Sequence, residues 1–104
     1  MGLNTVAKVS DTPPGTISVH EVDGVRIALC NVNGRFYAID DVCTHDGGSL
    51  DQGELEGTLV ECPRHGGKFD VTTGRAAVLP AVRAVKTYRV EVDGDDVKVD
   101  LASS

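Results

Sequence analysis

Long apolar runs are missing from these 104 residues: no stretch approaches the roughly 18 apolar residues of a membrane-spanning helix. The start, Met1-Gly2-Leu3-Asn4-Thr5-Val6-Ala7-Lys8, lacks the apolar stretch of about 7–15 residues that marks a secretory leader. Val6 stands where N-myristoylation of Gly2 needs Ser or Thr. The expectation is a soluble, cytoplasmic protein with no membrane partner. Basic residues are scarce too, with 10 Lys and Arg against 16 Asp and Glu and a formal net charge of −6. Phosphate backbones demand a Lys/Arg footprint, so nucleic acid is excluded as a partner. The acidic residues are spread along the chain, which suits either solubility or docking onto basic patches of a protein. Cysteine occurs only three times, and an odd count without secretory context argues against a disulfide framework. Neither G-x-G-x-x-G nor a P-loop occurs, so nicotinamide and flavin chemistry do not reside here. Apolar periodicity of 3.6 residues long enough for a substantial helix is also lacking.

What is present reads as short strands. Residues 16–22 (TISVHEV) and 25–32 (VRIALCNV) are β-branched and apolar, and Asp23-Gly24 between them is a type I′ hairpin signal. Asn33-Gly34 repeats the device before the strand at 35–39. A further hairpin joins 84–92 (AVKTYRVEV) to 97–101 (VKVDL) across Asp93-Gly94-Asp95-Asp96. The expected fold class is all-β, built of small antiparallel sheets in a single domain over 1–104. The basal sheets are expected over about 1–40 and 82–104. Between them, 41–81 differs in character: it is glycine-rich, with only short strand-like pieces at 58–61 and 67–71. Glycine-rich loops are costly to order, and a metal site would suffice to hold such an inserted subdomain.

Two of the three cysteines and two of the three histidines fall in this segment, as Cys43-Thr44-His45 and Cys62-Pro63-Arg64-His65. Sixteen residues separate the two pairs. Each pair offers one thiolate and one imidazole. Glycines follow closely, Gly47-Gly48 and Gly66-Gly67, and they leave backbone N–H groups free to approach a sulfur ligand. The remaining cysteine, Cys30, lies in the 25–32 strand and reads as a small core hydrophobe. The remaining histidine, His20, reads as a surface or half-buried strand residue. A structural zinc site is the competing reading of the four residues, since two cysteines with two histidines make a common zinc set. Zinc sets more often pair Cys with Cys and His with His, and a Cys-x-His step is tight for tetrahedral chelation of one ion.

The pattern Cys43-x-His45-x16-Cys62-x-x-His65 resembles the Rieske [2Fe-2S] motif, and the glycine-rich flanks and all-β reading fit that family. The resemblance implies a cofactor, one [2Fe-2S] cluster, with Cys43 and Cys62 on one iron and His45 and His65 on the other. Replacing two thiolates of an all-cysteine site by imidazoles raises the reduction potential, because the reduced core then carries less negative charge. Respiratory members of the family have a disulfide between the cluster loops; the matching positions here are Gly48 and Arg64, which cannot form one. They also have two hydroxyl donors to the cluster, where this chain has Gly67 and Phe69. The resemblance therefore implies the low end of the Rieske range, about −150 mV.

A Rieske oxygenase also needs a 2-His-1-carboxylate iron, and with His45 and His65 assigned only His20 is left. The implied role is that of a carrier, not an enzyme. The chain is similar to the ferredoxins of bacterial multicomponent aromatic-ring oxygenase systems. Its implied partners are an NAD(P)H-dependent ferredoxin reductase and a terminal oxygenase, met transiently by a monomer at the His45/His65 tip. Leu79-Pro80-Ala81 resembles a proline segment that packs over the cluster in relatives; it reads equally as a turn into the next strand. The alternatives are the small Rieske-like subunit of assimilatory nitrite reductase and a zinc-binding interaction module.

Overall fold

The computed structural model describes residues 3–41, 50, 53–62, 66–78 and 84–101. Ten strands run through them: β1 (Leu3–Lys8), β2 (Ile17–Val22), β3 (Val25–Val32), β4 (Arg35–Asp40), β5 (Leu55–Glu56), β6 (Leu59–Glu61), β7 (Lys68–Asp70), β8 (Ala76–Val78), β9 (Thr87–Asp93) and β10 (Asp96–Asp100). They form a six-stranded sheet in the order β1-β10-β9-β4-β3-β2 and a four-stranded sheet in the order β5-β6-β7-β8. All pairings are antiparallel. The all-β expectation therefore holds.

Turn chemistry sets the register. Val22 faces Val25 and Val32 faces Arg35, so each hairpin turns through two residues. Asp23 and Gly24 have φ of 51° and 79°, and Asn33 and Gly34 have 50° and 91°. Positive φ at both central positions is what a type I′ turn requires, and Asx-Gly is the pair that adopts it most readily. One irregularity between Thr5 and Ala7 interrupts the pairing of β1 with β10. Bulges increase twist, and the large sheet curls until its edge strands β1 and β2 approach one another.

The consequence is a strand buried on both sides. On β3, Ile27 and Leu29 point into the curl, where they pack with Ala7, Ala38, Tyr88, Val97 and Val99. Ala28 and Cys30 point the other way, into a second core shared with Ile39, Leu50, Val60, Cys62, Phe69, Val71 and Val85. That second core joins the small sheet to the large one. Burying each of its larger apolar side chains contributes about 1.5–3 kcal/mol. Cys30, fully buried, is the small core hydrophobe its strand suggests.

The edge and connector details differ from the sequence expectation. β9 starts at Thr87 and not at residue 84, because the Val85 N–H donates to the Gly74 carbonyl (2.8 Å) while its side chain enters the shared core. Gly74 makes this approach possible: its φ is +80°, and a Cβ there would lie 2.2 Å from the Val85 carbonyl oxygen. β1, β5 and β8 carry no strand signal in the sequence and are found only as paired edges.

Candidate metal centre

Of the four expected ligands, Cys62 lies within the described residues; Cys43, His45 and His65 lie outside them, as do Gly48, Arg64 and Leu79-Pro80-Ala81. Cys62 directly follows β6 and is 1% exposed, a free thiol on the floor of the shared core. Its N–H donates to the Gly67 carbonyl (2.7 Å), which carries the β6–β7 ladder one step past Glu61 and Lys68. The Gly66 N–H donates back to the Cys62 carbonyl (3.1 Å), with Gly66 at φ +76°. A left-handed residue is easiest for glycine, which explains why Gly66 follows the second Cys/His pair. Gly67 is buried, and Phe69, opposite Val60, is fully so.

The first loop is held where it leaves and where it returns. Asp40, at the end of β4, donates its N–H to the Lys86 carbonyl (2.9 Å), and its carboxylate accepts the Tyr88 hydroxyl. Burial and that neighbouring carboxylate push the Tyr88 phenol up from its ordinary value. Asp41 donates its N–H to the Arg26 carbonyl (3.2 Å) and accepts the Arg26 Nε–H (2.7 Å) on a fully buried carboxylate. On the return side, Leu50 is fully buried in the shared core and accepts a bond from Gly53 N–H (3.0 Å). Glu61, one residue before Cys62, donates its N–H to the Glu54 carbonyl (2.9 Å). The returning arm of the first loop therefore lies directly along the strand that leads into the second.

The remaining cysteine and histidine sit on strands of the large sheet. Burial pushes the Cys30 thiol up to about 12, and the charge of Asp41 adds to it, so Cys30 stays a neutral thiol. His20 is half-buried on β2, where its Nε2 shares a hydrogen bond with Ser18 Oγ (2.7 Å), itself bonded to buried Thr12 (2.6 Å). Burial holds its imidazole below the ordinary value, with Asp11 opposing. Sequence reasoning gave no role to Arg26, Asp41, Gly53 or Glu61. No motif marks them, because strand register alone brings them to the loops. Among the described residues no three His, Cys, Asp or Glu side chains gather as a metal site. Cys62 fits the thiolate position of a cluster: it is buried, free of any disulfide, and followed by a glycine return that keeps backbone N–H groups close.

Comparison with known proteins follows the same line. The Rieske [2Fe-2S] domain profile matches residues 2–89. The ferredoxin component of the naphthalene 1,2-dioxygenase system of Pseudomonas aeruginosa is 42% identical over 92 residues, 88% of this chain and 88% of that protein. The ferredoxin component of biphenyl 2,3-dioxygenase from Rhodococcus jostii (strain RHA1) is 42% identical over 101 residues, 97% of this chain and 94% of that one. Among solved structures, a chain in the complex of reduced oxygenase and oxidized ferredoxin of carbazole 1,9a-dioxygenase superposes with a TM-score of 0.91 at 38% identity, covering 98% of this chain and 95% of that one. Among the described residues no helix is long and apolar enough to cross a membrane. The chain belongs to the Rieske [2Fe-2S] family, in which it is a ferredoxin: an electron carrier with one Rieske-type [2Fe-2S] cluster and not itself an enzyme.

Proposed function

We propose that this chain carries single electrons from an NAD(P)H-dependent ferredoxin reductase to a terminal Rieske non-haem iron oxygenase of the aromatic-hydrocarbon type. The observation that supports this reading is the near full-length match to dioxygenase ferredoxin components, 97% of this chain against 94% of the biphenyl relative. Cys43 and Cys62 are the thiolate ligands of the buried iron, and His45 and His65 the imidazole ligands of the outer one. When bound, the cluster supplies reversible one-electron storage. The chain's own residues do the rest. Buried Cys62 holds the inner side of the site in the shared core. The backbone bonds of Gly66 and Gly67 to Cys62 set the course of the second loop. The imidazole tip is the docking end for both partners, met in turn by a monomeric, cytoplasmic carrier. The chain works as one Rieske domain, with 41–81 as its cluster-binding part.

Reconstitution tests the whole reading. Purified protein is expected to be brown, to show a Rieske-type EPR signal on reduction, and to make aromatic oxygenation depend on it when mixed with reductase, oxygenase and NAD(P)H. A colourless protein holding one zinc ion would overturn the redox role. Co-purification with a large sirohaem protein would transfer the chain to nitrite reduction.

A further inference from the structure

One buried charge lies next to the ligand loops with no role in holding iron. Asp41 is two residues before Cys43, and its side chain has no solvent exposure. A carboxylate in such a place is costly unless paired. One partner is Arg26 of β3, whose Nε donates at 2.7 Å from a side chain that is itself 53% exposed. The pair follows from register. Ile27 faces Asp40 across β3 and β4, so Arg26 and Asp41 meet one step further on. By strand alternation Arg26 shares a face with Ala28 and Cys30, the face that looks into the core containing Cys62. Asp41 makes itself felt in that core, since its charge is one of the two causes that raise the Cys30 thiol.

We infer that Arg26 and Asp41 form an electrostatic pair at the foot of the first ligand loop that fixes the departure of that loop and tunes the reduction potential. The inference rests on the cluster reading above. Reduction adds one negative charge to the site. The carboxylate opposes that charge across a low-dielectric core, where Coulomb energies are weakly screened. The guanidinium offsets this opposition. Both residues are positioning and tuning groups, and neither touches iron.

The test is a redox titration, followed by EPR, of the holo-protein and four variants at one fixed pH. Asp41→Asn removes the buried charge and is expected to raise the potential. Arg26→Gln removes this cation from beside the carboxylate and is expected to lower it. Each shift should correspond to roughly a tenfold change in the one-electron equilibrium, ~59 mV. The double variant should return towards the parent value, and Arg26→Lys, which keeps the cation, should stay near it. Should Arg26→Gln fail to hold its cluster, the contrast between Asp41→Asn and Arg26→Lys decides alone. Equal potentials, or shifts of one sign in both single variants, would reduce the pair to a structural contact and overturn the inference. A parent protein with no Rieske signal would instead remove the cluster reading and this inference with it.

Discussion

Gly53 lies so close to Glu61 that a Cβ placed on it would stand 1.7 Å from the Glu61 carbonyl oxygen. The contact ties the returning arm of the first loop to the residue before Cys62, beside the bond from Glu61 N–H to Glu54. Gly53→Ala cannot be accommodated without moving one of the two arms. Overpacking of this kind costs about 1–3 kcal/mol or more, which in a domain of this size lowers Tm by on the order of 10 °C. Iron bound per chain should fall with it. Gly94→Ala is the control: at φ +62° in open space it carries only backbone strain, about 1–2 kcal/mol, and should leave iron content unchanged. A Gly53→Ala protein that melts and binds iron like the parent would show that the two arms are not coupled.

Cys30 and Cys62 are both buried and belong to one core, yet they should behave as opposites. Cys62→Ala is expected to abolish the brown chromophore and to leave the 41–81 segment protease-sensitive. Cys30→Ala removes one buried sulfur on β3 and should cost about 1–2 kcal/mol by the scale for a small deletion in a core, with the spectrum unchanged. The native Cys30 thiol, pushed up to about 12 and fully buried, should resist iodoacetamide until the protein unfolds. Loss of the spectrum in Cys30→Ala, or its survival in Cys62→Ala, would reverse these assignments. Mass spectrometry after alkylation and an iron assay suffice to decide.

His20 predicts a pH dependence. Burial depresses its folded-state pKa below the ordinary 6.5, so the unfolded chain binds the proton more readily. Its contribution is present above the unfolded value and is lost as pH falls from about 6.5 towards the folded value. Stability against urea should therefore decline on acidification through this window. His20→Gln keeps a partner for Ser18 but carries no titrating ring. The difference between parent and variant midpoints should shrink or reverse as pH drops below 6.5. Parallel curves across the window would mean that His20 is not perturbed.

Much of the scaffold is legible in the sequence, and the reason lies in particular residues. Asp23-Gly24 and Asn33-Gly34 announce their hairpins because each turn needs two positive φ angles, and the chain adopts them. β1 gives no such signal: Leu3-Asn4-Thr5-Val6-Ala7-Lys8 does not alternate apolar with polar residues, although its exposure does alternate once it is paired. β5 and β8 are two and three residues long, below the length at which a pattern exists, and pairing with β6 and β7 creates them. The Cys/His pairs are legible because ligand chemistry is local in sequence. Arg26 with Asp41, and Gly53 with Glu61, are not: each contact exists only once distant segments are aligned in register.

The chemistry around Cys62 bears on the potential. Phe69 is fully buried in the same core and faces Val60, and a phenyl ring has no donor to offer a sulfur ligand. Gly67 contributes backbone alone, and its carbonyl is already used by the Cys62 N–H. Among the described residues no side chain donates a hydrogen bond to the Cys62 sulfur. Donors to sulfur stabilise the added electron, so the lack of a hydroxyl at Gly67 and Phe69 favours the oxidised state. The midpoint is expected near the low end of the Rieske range, about −150 mV, in a dye-mediated titration. A value well above zero would require donors from the 43–49 or 63–65 segments strong enough to replace the missing hydroxyls. Such a carrier would hold its electron too tightly to serve a low-potential partner, and the proposed oxygenase role would fall with it.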